Sequence, residues 1–226
     1  MIHIIHKIPR CSDEMVAEYR KQASATVHEA MGRRGALDPA IKPLAKGMKV
    51  AGRAITVKCH PADNVMVVKA ISMAKENDVI VVDMGGIEKI GPFGGVLATE
   101  CKTKKLGGLV FNCCVRDSAE IIEMGLPVFS TGLCIRGTAK TVLGTINHPI
   151  SCGDQLIHPG DMILGDDDGV VVIPYAELDS VLEAAKAREK KEAVYIERLK
   201  NGESAFDIYG YQKLFDALGC VEESEE

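Results

Sequence analysis

Between residues 49 and 135, apolar runs of strand length alternate with segments of helical spacing, and that alternation restricts the chain to the α/β class. "KVAGRAITVKCH" steps in twos through β-branched residues, "NVMVVKAISMAKEND" places its apolar residues at helical intervals, and "VIVVDMGG" is a short apolar run closed by glycines. The pattern then repeats, with "GGVLATECKTKKLG" and "DSAEIIEMG" as helices and "GLVFNCCV" and "PVFSTGLCI" as strands. Strands that alternate with helices predict a largely parallel sheet covered by helices.

On either side the pattern changes. "SDEMVAEYRKQ" opens with a capping serine and two acids, and "SATVHEAMGRRG" starts on a serine and stops at glycines, which predicts two N-terminal helices. "ISCGDQLIHPGDMILGDDDGVVVIP" holds three short apolar runs separated by the turn formers "HPGD" and "DDDG" and reads as an antiparallel meander. "YAELDSVLEAAKAREKKEAVYIERLKNG" favours a long helix ended by glycine, after which a shorter helix and a frayed acidic tail, "EESEE", are expected. A chain of 226 residues is short for two full domains, so a single domain over 1–226 is expected, with N-terminal helices within 1–35 and a C-terminal helical extension over 175–226.

Composition removes several function classes. The 27 Lys and Arg nearly balance 32 Asp and Glu, and there is no basic block able to grip a nucleic-acid backbone. "MIHIIHKIPRCSDE" meets charge too early for a secretory signal, and no apolar run reaches the roughly 18 residues that cross a bilayer, so a cytoplasmic protein without membrane partners is expected. Eight cysteines without metal-type spacing, set in apolar segments, read as reduced thiols packed as small hydrophobes.

In a parallel α/β layer, ligands gather at the carboxyl ends of the strands. Two places there carry chemistry. At "GPFGGVLATE", Gly94 and Gly95 enter a helix, and their missing side chains would let an anion approach the amides of Gly95, Val96 and Leu97. At the end of the next strand, Arg116 offers a planar fork suited to a carboxylate and Asp117 a hard oxygen suited to Mg²⁺ or Mn²⁺. Together they describe a pocket for a small metal-chelating oxo acid. The competing local reading has Asp117 capping the helix that follows, with Glu120 three places on completing a box-like arrangement. Cys113 and Cys114 read as small strand-end residues, Asp166 to Asp168 as a hairpin turn and His28 as an ordinary helical histidine.

These residues also carry a resemblance. "FGGVLAT" and "GGLVFNCCVRD", with "SATVHEAMGR", "KGMKVAGRAITV", "PADN", "RGTAKTVLGTINHPI", "HPGDMILGDDDGVVVIP" and "AREKKE", resemble the RraA-like family over about residues 24 to 202. Within it, the chain is most similar to the class II pyruvate aldolases acting on 4-hydroxy-4-methyl-2-oxoglutarate and 4-carboxy-4-hydroxy-2-oxoadipate.

The resemblance implies a layered α/β/α fold of the swivelling β/β/α type, in trimers or hexamers with active sites between subunits. It implies Asp117 as ligand of a divalent metal (Mg²⁺ or Mn²⁺) and Arg116 as the group holding the oxo acid and its developing enolate. It further implies that the backbone of Gly94, Gly95, Val96 and Leu97 binds the substrate carboxylate. Lys140 matches a polar position near that pocket, and Glu192 matches a glutamate brought from a neighbouring subunit. The implied activity is retro-aldol cleavage of a 4-hydroxy-2-oxo acid to pyruvate, with oxaloacetate decarboxylation as a side activity. The aldolases place an acid where this chain has Gly95, and Glu88, Glu100 or Asp83 are candidates to replace it. The alternatives are a non-catalytic binding or regulatory protein, a diverged lyase on another oxo acid, and a Schiff-base aldolase using Lys58, Lys69 or Lys140.

Overall fold

The computed structural model describes residues 1–222. The chain divides into two compact units, Met1–Ala185 and the residues from Lys186 onward. Its elements begin with β1 (His3–Ile4), α1 (Asp13–Lys21), α2 (Ser24–Ala30), β2 (Lys42–Pro43), β3 (Val50–Lys58), α3 (Val65–Met73) and β4 (Asp78–Asp83). They continue through α4 (Gly95–Thr103), β5 (Gly108–Phe111), β6 (Cys114–Val115), α5 (Ser118–Met124), β7 (Val128–Ser130), β8 (Gly132–Leu133) and β9 (Thr145–Ile146). The chain then forms β10 (Ile150–Cys152), β11 (Gln155–Ile157), β12 (Met162–Asp166), β13 (Gly169–Ile173), α6 (Leu178–Lys200), α7 (Ala205–Tyr209) and α8 (Gln212–Leu218).

The centre of the first unit is the parallel set β3-β4-β5-β7, each strand beside the next in the chain. Successive crossovers of one hand put their helices on one face. Accordingly Val67 and Ile71 of α3, Ala98 and Cys101 of α4 and Ile121 of α5 share a core with Ile55, Ile80, Val82, Leu109 and Phe111. On the opposite face Ala54, Val79, Val81 and Val110 meet Ile150, Cys152 and Ile157 of the β10–β11 hairpin and Ile163 of β12. A third core joins β12 and β13 to α1, α2 and the start of α6, through Val16, Tyr19, Val27, Met162, Leu164, Leu178 and Leu182. Burial on both faces explains why β4 and β5 read as unbroken apolar runs rather than alternating ones.

Local signals placed the N-terminal helix correctly. Ser12 Oγ accepts a hydrogen bond from Met15 N at 3.2 Å, with Asp13 and Glu14 in the first turn of α1 and Arg20 and Lys21 in its last.

Three expectations change. The meander over 150–173 is two separate hairpins, since β11 does not pair with β12 and "HPGD" carries the chain onto the central sheet instead. There Gly160 N and Ala54 N donate to Ala54 O and Asp161 O, at 2.9 and 2.8 Å, and the buried Asp161 carboxylate accepts from His158 N and Tyr175 N. "GLVFNCCV" and "PVFSTGLCI" are each broken in two, because the chain leaves the sheet after Phe111 and after Ser130. The released pieces, β6 and β8, form their own parallel pair.

In the second unit the chain beyond α6 holds two short helices rather than one, because Gly210 adopts a left-handed conformation that stops α7. Tyr195 packs edge-on against Tyr209, and Phe206 against Phe215. Residues 223–226 of the acidic tail lie outside the described residues. Among the described residues no helix is long and apolar enough to cross a membrane.

Candidate active site

The departure of β6 and β8 from the central sheet builds the site. Cys134 N bonds to Val115 O at 2.9 Å, Gly91 N to Arg136 O at 2.8 Å and Arg116 N to Phe93 O at 3.0 Å. These bonds bring the loop ahead of α4, the end of β6 and the segment after β8 to one point beyond the carboxyl ends of β4, β5 and β7. Asp117 then takes a left-handed backbone (φ 56°, ψ 37°), a conformation aspartate tolerates better than most residues. The turn ends the strand alternation that would have sent Arg116 and Asp117 to opposite faces. Arg116 Nε lies 3.7 Å from Asp117 Oδ2, with both side chains about half exposed.

The carboxylate of Asp117 decides between the two local readings. It makes no capping bond to α5. Oδ2 instead accepts from Gly95 N at 3.0 Å, at the N-terminus of α4, where a helix presents unpaired amides and positive potential. Gly94 is required by this approach: a Cβ there would overlap Asp117 Oδ2 and stand 3.2 Å from Arg116 Cγ.

A cleft of about 240 Å³ opens here, walled by Gly94, Val96, Leu97, Arg116, Asp117 and Lys140. Gly95 does not line it, and its N–H is engaged by Asp117, which leaves Val96 and Leu97 as the residues of the first turn of α4 that line the cleft. Lys140 sits on a loop anchored by Asp63, whose buried carboxylate accepts from Thr141 N at 2.7 Å, Val142 N at 2.9 Å and Val65 N at 2.9 Å. Burial acts to raise the Asp63 pKa, but the three amide bonds outweigh it and hold the carboxyl below its ordinary range. Asn64 also lines the cleft and is only 7% exposed. Its Nδ2 donates to Pro92 O at 2.7 Å, while its buried Oδ1 has no partner among the described residues. Nothing local in "PADN" marks either residue, because they make hydrogen bonds with loops distant in the chain.

Glu192 belongs to the second unit, on α6, where its Oε1 is 2.7 Å from Arg188 Nε. Asp83 is buried and bound to Lys58, Asn112 Nδ2 and Gly85 N, whereas Glu88 and Glu100 are exposed; none of the three lines the cleft. Of the lysines considered for a Schiff base, only Lys140 does. Cys113 and Cys114 are buried, and burial pushes the Cys113 thiol well above its usual range, which fits packing rather than nucleophilic attack. All eight cysteines are free thiols. Asp166 and Asp167 accept from Ser24 and Gly47 and close the β12–β13 hairpin.

The donor set of the cleft suits a hard divalent ion that keeps most of its own waters. It offers the half-exposed Asp117 carboxylate and no thiol or imidazole, and among the described residues no group of three or more His, Cys, Asp and Glu could enclose a metal.

A parallel β-core covered by helices on one face, with an Arg-Asp pair set against a helix N-terminus beyond its strand ends, defines a layered α/β protein with a cleft at that pair. The chain belongs to the RraA-like family (Aldolase/RraA), which matches residues 24–172. It is 35% identical over 176 residues to "Putative 4-hydroxy-4-methyl-2-oxoglutarate aldolase" of Halalkalibacterium halodurans, covering 78% of this chain and 84% of that one. An uncharacterized protein of Methanocaldococcus jannaschii is also 35% identical, over 74% of this chain and 82% of its own. Among solved structures, Streptomyces coelicolor RraAS2, described as an unusual member of the RNase ES inhibitor RraA protein family, superposes with a TM-score of 0.75 at 26% identity. That likeness covers 84% of this chain and 98% of that one.

Proposed function

We propose that the protein is a divalent-metal-dependent lyase that cleaves a 4-hydroxy-2-oxo mono- or dicarboxylic acid to pyruvate by a retro-aldol reaction. The observation that carries this reading is the Asp117 carboxylate, turned away from its own helix and held beside Arg116 in the lining of the cleft. An aspartate serving as a cap would have done the reverse.

In this reading the amides of Val96 and Leu97, two residues of the cleft lining, receive the substrate carboxylate, and the Arg116 guanidinium holds the 2-oxo oxygen in a planar fork. As the bond between C3 and C4 breaks, the C4 hydroxyl loses its proton and becomes a carbonyl, and negative charge builds on the pyruvate enolate beside Arg116. Reprotonation at C3 completes pyruvate. Lys140, which also lines the cleft, suits the second carboxylate of a dicarboxylic substrate. A divalent ion, Mg²⁺ or Mn²⁺, held at Asp117 would supply the electrophile that this charge requires. Oxaloacetate decarboxylation passes through the same enolate and is proposed as a side activity. We place Glu192 in the reading as a residue contributed by a neighbouring subunit of a trimer or hexamer, near the proton path.

A coupled pyruvate assay over a series of 4-hydroxy-2-oxo acids and oxaloacetate, with Mg²⁺ or Mn²⁺ and with EDTA, tests the proposal. Metal-dependent pyruvate release supports it, and activity that survives EDTA with a borohydride-trapped adduct on Lys140 overturns it. One observation favours a second reading. The glycine at 95, together with the likeness to an RNase inhibitor family, is what a non-catalytic binding protein would show; absence of turnover on every acid would select it.

A further inference from the structure

Two glycines begin α4, and the space each side chain would fill is occupied by a carboxylate oxygen. At Gly94 the oxygen is Oδ2 of Asp117; at Gly95 it is Oε2 of Glu120, whose Cδ stands 3.2 Å from the place of the missing Cβ. Both carboxylates come from the start of α5, one turn apart, and both reach across to the same helix N-terminus. Had Glu120 completed a capping box, its carboxylate would have turned back to the backbone N–H of Asp117. It extends to the start of α4 instead, beside Asp117 although outside the residues that wall the cleft itself, and it has no ion pair or hydrogen bond among the described residues. A second observation points to a hydrogen-bond donor in the cleft. The buried Oδ1 of Asn64, in its wall, has no partner among the described residues, and a buried acceptor in that condition is unfavourable until a donor reaches it.

We infer that Glu120 is the outer carboxylate of the site, a positioning residue admitted by Gly95 that orders the waters around a divalent ion held at Asp117. Two like charges at one helix terminus repel each other, and the amides of α4 relieve only part of that repulsion. A hydrated dication relieves the rest and gives Glu120 hydrogen-bond donors in the form of its waters. This inference rests on the metal-dependent reading above and deepens it. It also assigns a physical reason to Gly95: any side chain there would displace the Glu120 carboxylate. Neither Asp83, Glu88 nor Glu100 is needed as a substitute, because the acid arrives from α5.

Calorimetric titration of the full chain with MnCl₂ tests the assignment independently of activity. Glu120→Gln is expected to weaken Mn²⁺ binding about tenfold and lower kcat similarly, with KM and the melting temperature in EDTA unchanged. Gly95→Ala is expected to weaken Mn²⁺ binding to a similar degree, because its methyl takes the place of the carboxylate while leaving the charge intact. Wild-type Mn²⁺ affinity in both variants, or no Mn²⁺ binding by the wild-type protein, overturns the inference. Weakened binding in both variants with no pyruvate from any 4-hydroxy-2-oxo acid keeps Glu120 and removes the lyase; pyruvate release with unaltered Mn²⁺ binding does the opposite.

Discussion

Asp117 Oδ2 accepts a hydrogen bond from Gly95 N at 3.0 Å, joining the first turns of two helices that are 22 residues apart in the chain. The bond leaves α5 without a side-chain cap at its own start. A helix without its cap loses roughly 1 kcal/mol, so this placement is unfavourable for α5 considered alone. The hydrogen bond from Gly95 N offsets part of that loss at the start of α4 instead.

Asp117→Asn separates charge from geometry. Asparagine tolerates the left-handed backbone and can still accept from Gly95 N, so the melting temperature should move by no more than about 2–4 °C. Pyruvate release and Mn²⁺ binding should both be lost. Asp117→Ala should lose them too, with a further destabilisation of about 1–2 kcal/mol because alanine is strained at φ 56°. Thermal melts of the two variants in EDTA, beside the pyruvate assay, check both statements; wild-type activity in either would revive the capping role.

Gly94→Ala tests the closeness of approach. The backbone at Gly94 is extended (φ −157°), so alanine brings no strain of its own, but its methyl would push the Asp117 carboxylate and crowd Arg116. A displacement of about 1 Å at a reacting centre can cost on the order of 10²-fold. We expect kcat/KM to fall by about that factor with little change in urea midpoint, as steady-state kinetics and denaturation would show.

Asp63 makes stability depend on pH. Its carboxyl pKa is lower in the folded protein than in the unfolded chain, so the stabilisation is present above the ordinary carboxylate value of about 4 and fades as pH falls through the folded value. Asp63→Ala should cost about 1–3 kcal/mol at pH 7 through the amides it leaves unpaired, and less at about pH 3. KM for a dicarboxylic substrate should rise as the Lys140 loop loosens. Urea unfolding at the two pH values and substrate titration measure these effects.

Asp78 serves as a control remote from the chemistry. It is fully buried, accepts from Arg53 Nε at 3.3 Å and Lys75 N at 2.8 Å, and is bound by Arg10. Asp78→Ala would leave the Arg53 guanidinium buried without this partner and should cost about 3–5 kcal/mol. Calorimetry should show a melting temperature lower by roughly 10 °C, with Mn²⁺ affinity at low temperature unaltered.

Much of the fold is legible in local pattern because burial on both faces demands unbroken apolar runs. "VIVVD" and "GLVF" could be little else than central strands, and "SDEM" carries its helix start in its own side chains. The breaks after Phe111 and Ser130 were not legible. Cys113 to Val115 and Thr131 to Leu133 are as apolar or strand-compatible as the residues before them, and only the parallel pairing of β6 with β8 removes them from the sheet. The same holds for the meander, where a turn-forming "HPGD" serves a crossover because Asp161 anchors it to β3 and to Tyr175.

Chain order and side-chain chemistry identified the α/β core, the glycine pair ahead of α4 and the Arg116-Asp117 pair at a strand end. The direction in which Asp117 and Glu120 point was a matter for the folded molecule. An aspartate followed three places later by a glutamate is the same string whether the two cap their own helix or reach across to another. The choice is made by a left-handed backbone at 117 and by the absence of two Cβ atoms more than twenty residues earlier, a steric relation that exists only once α4 and α5 lie side by side.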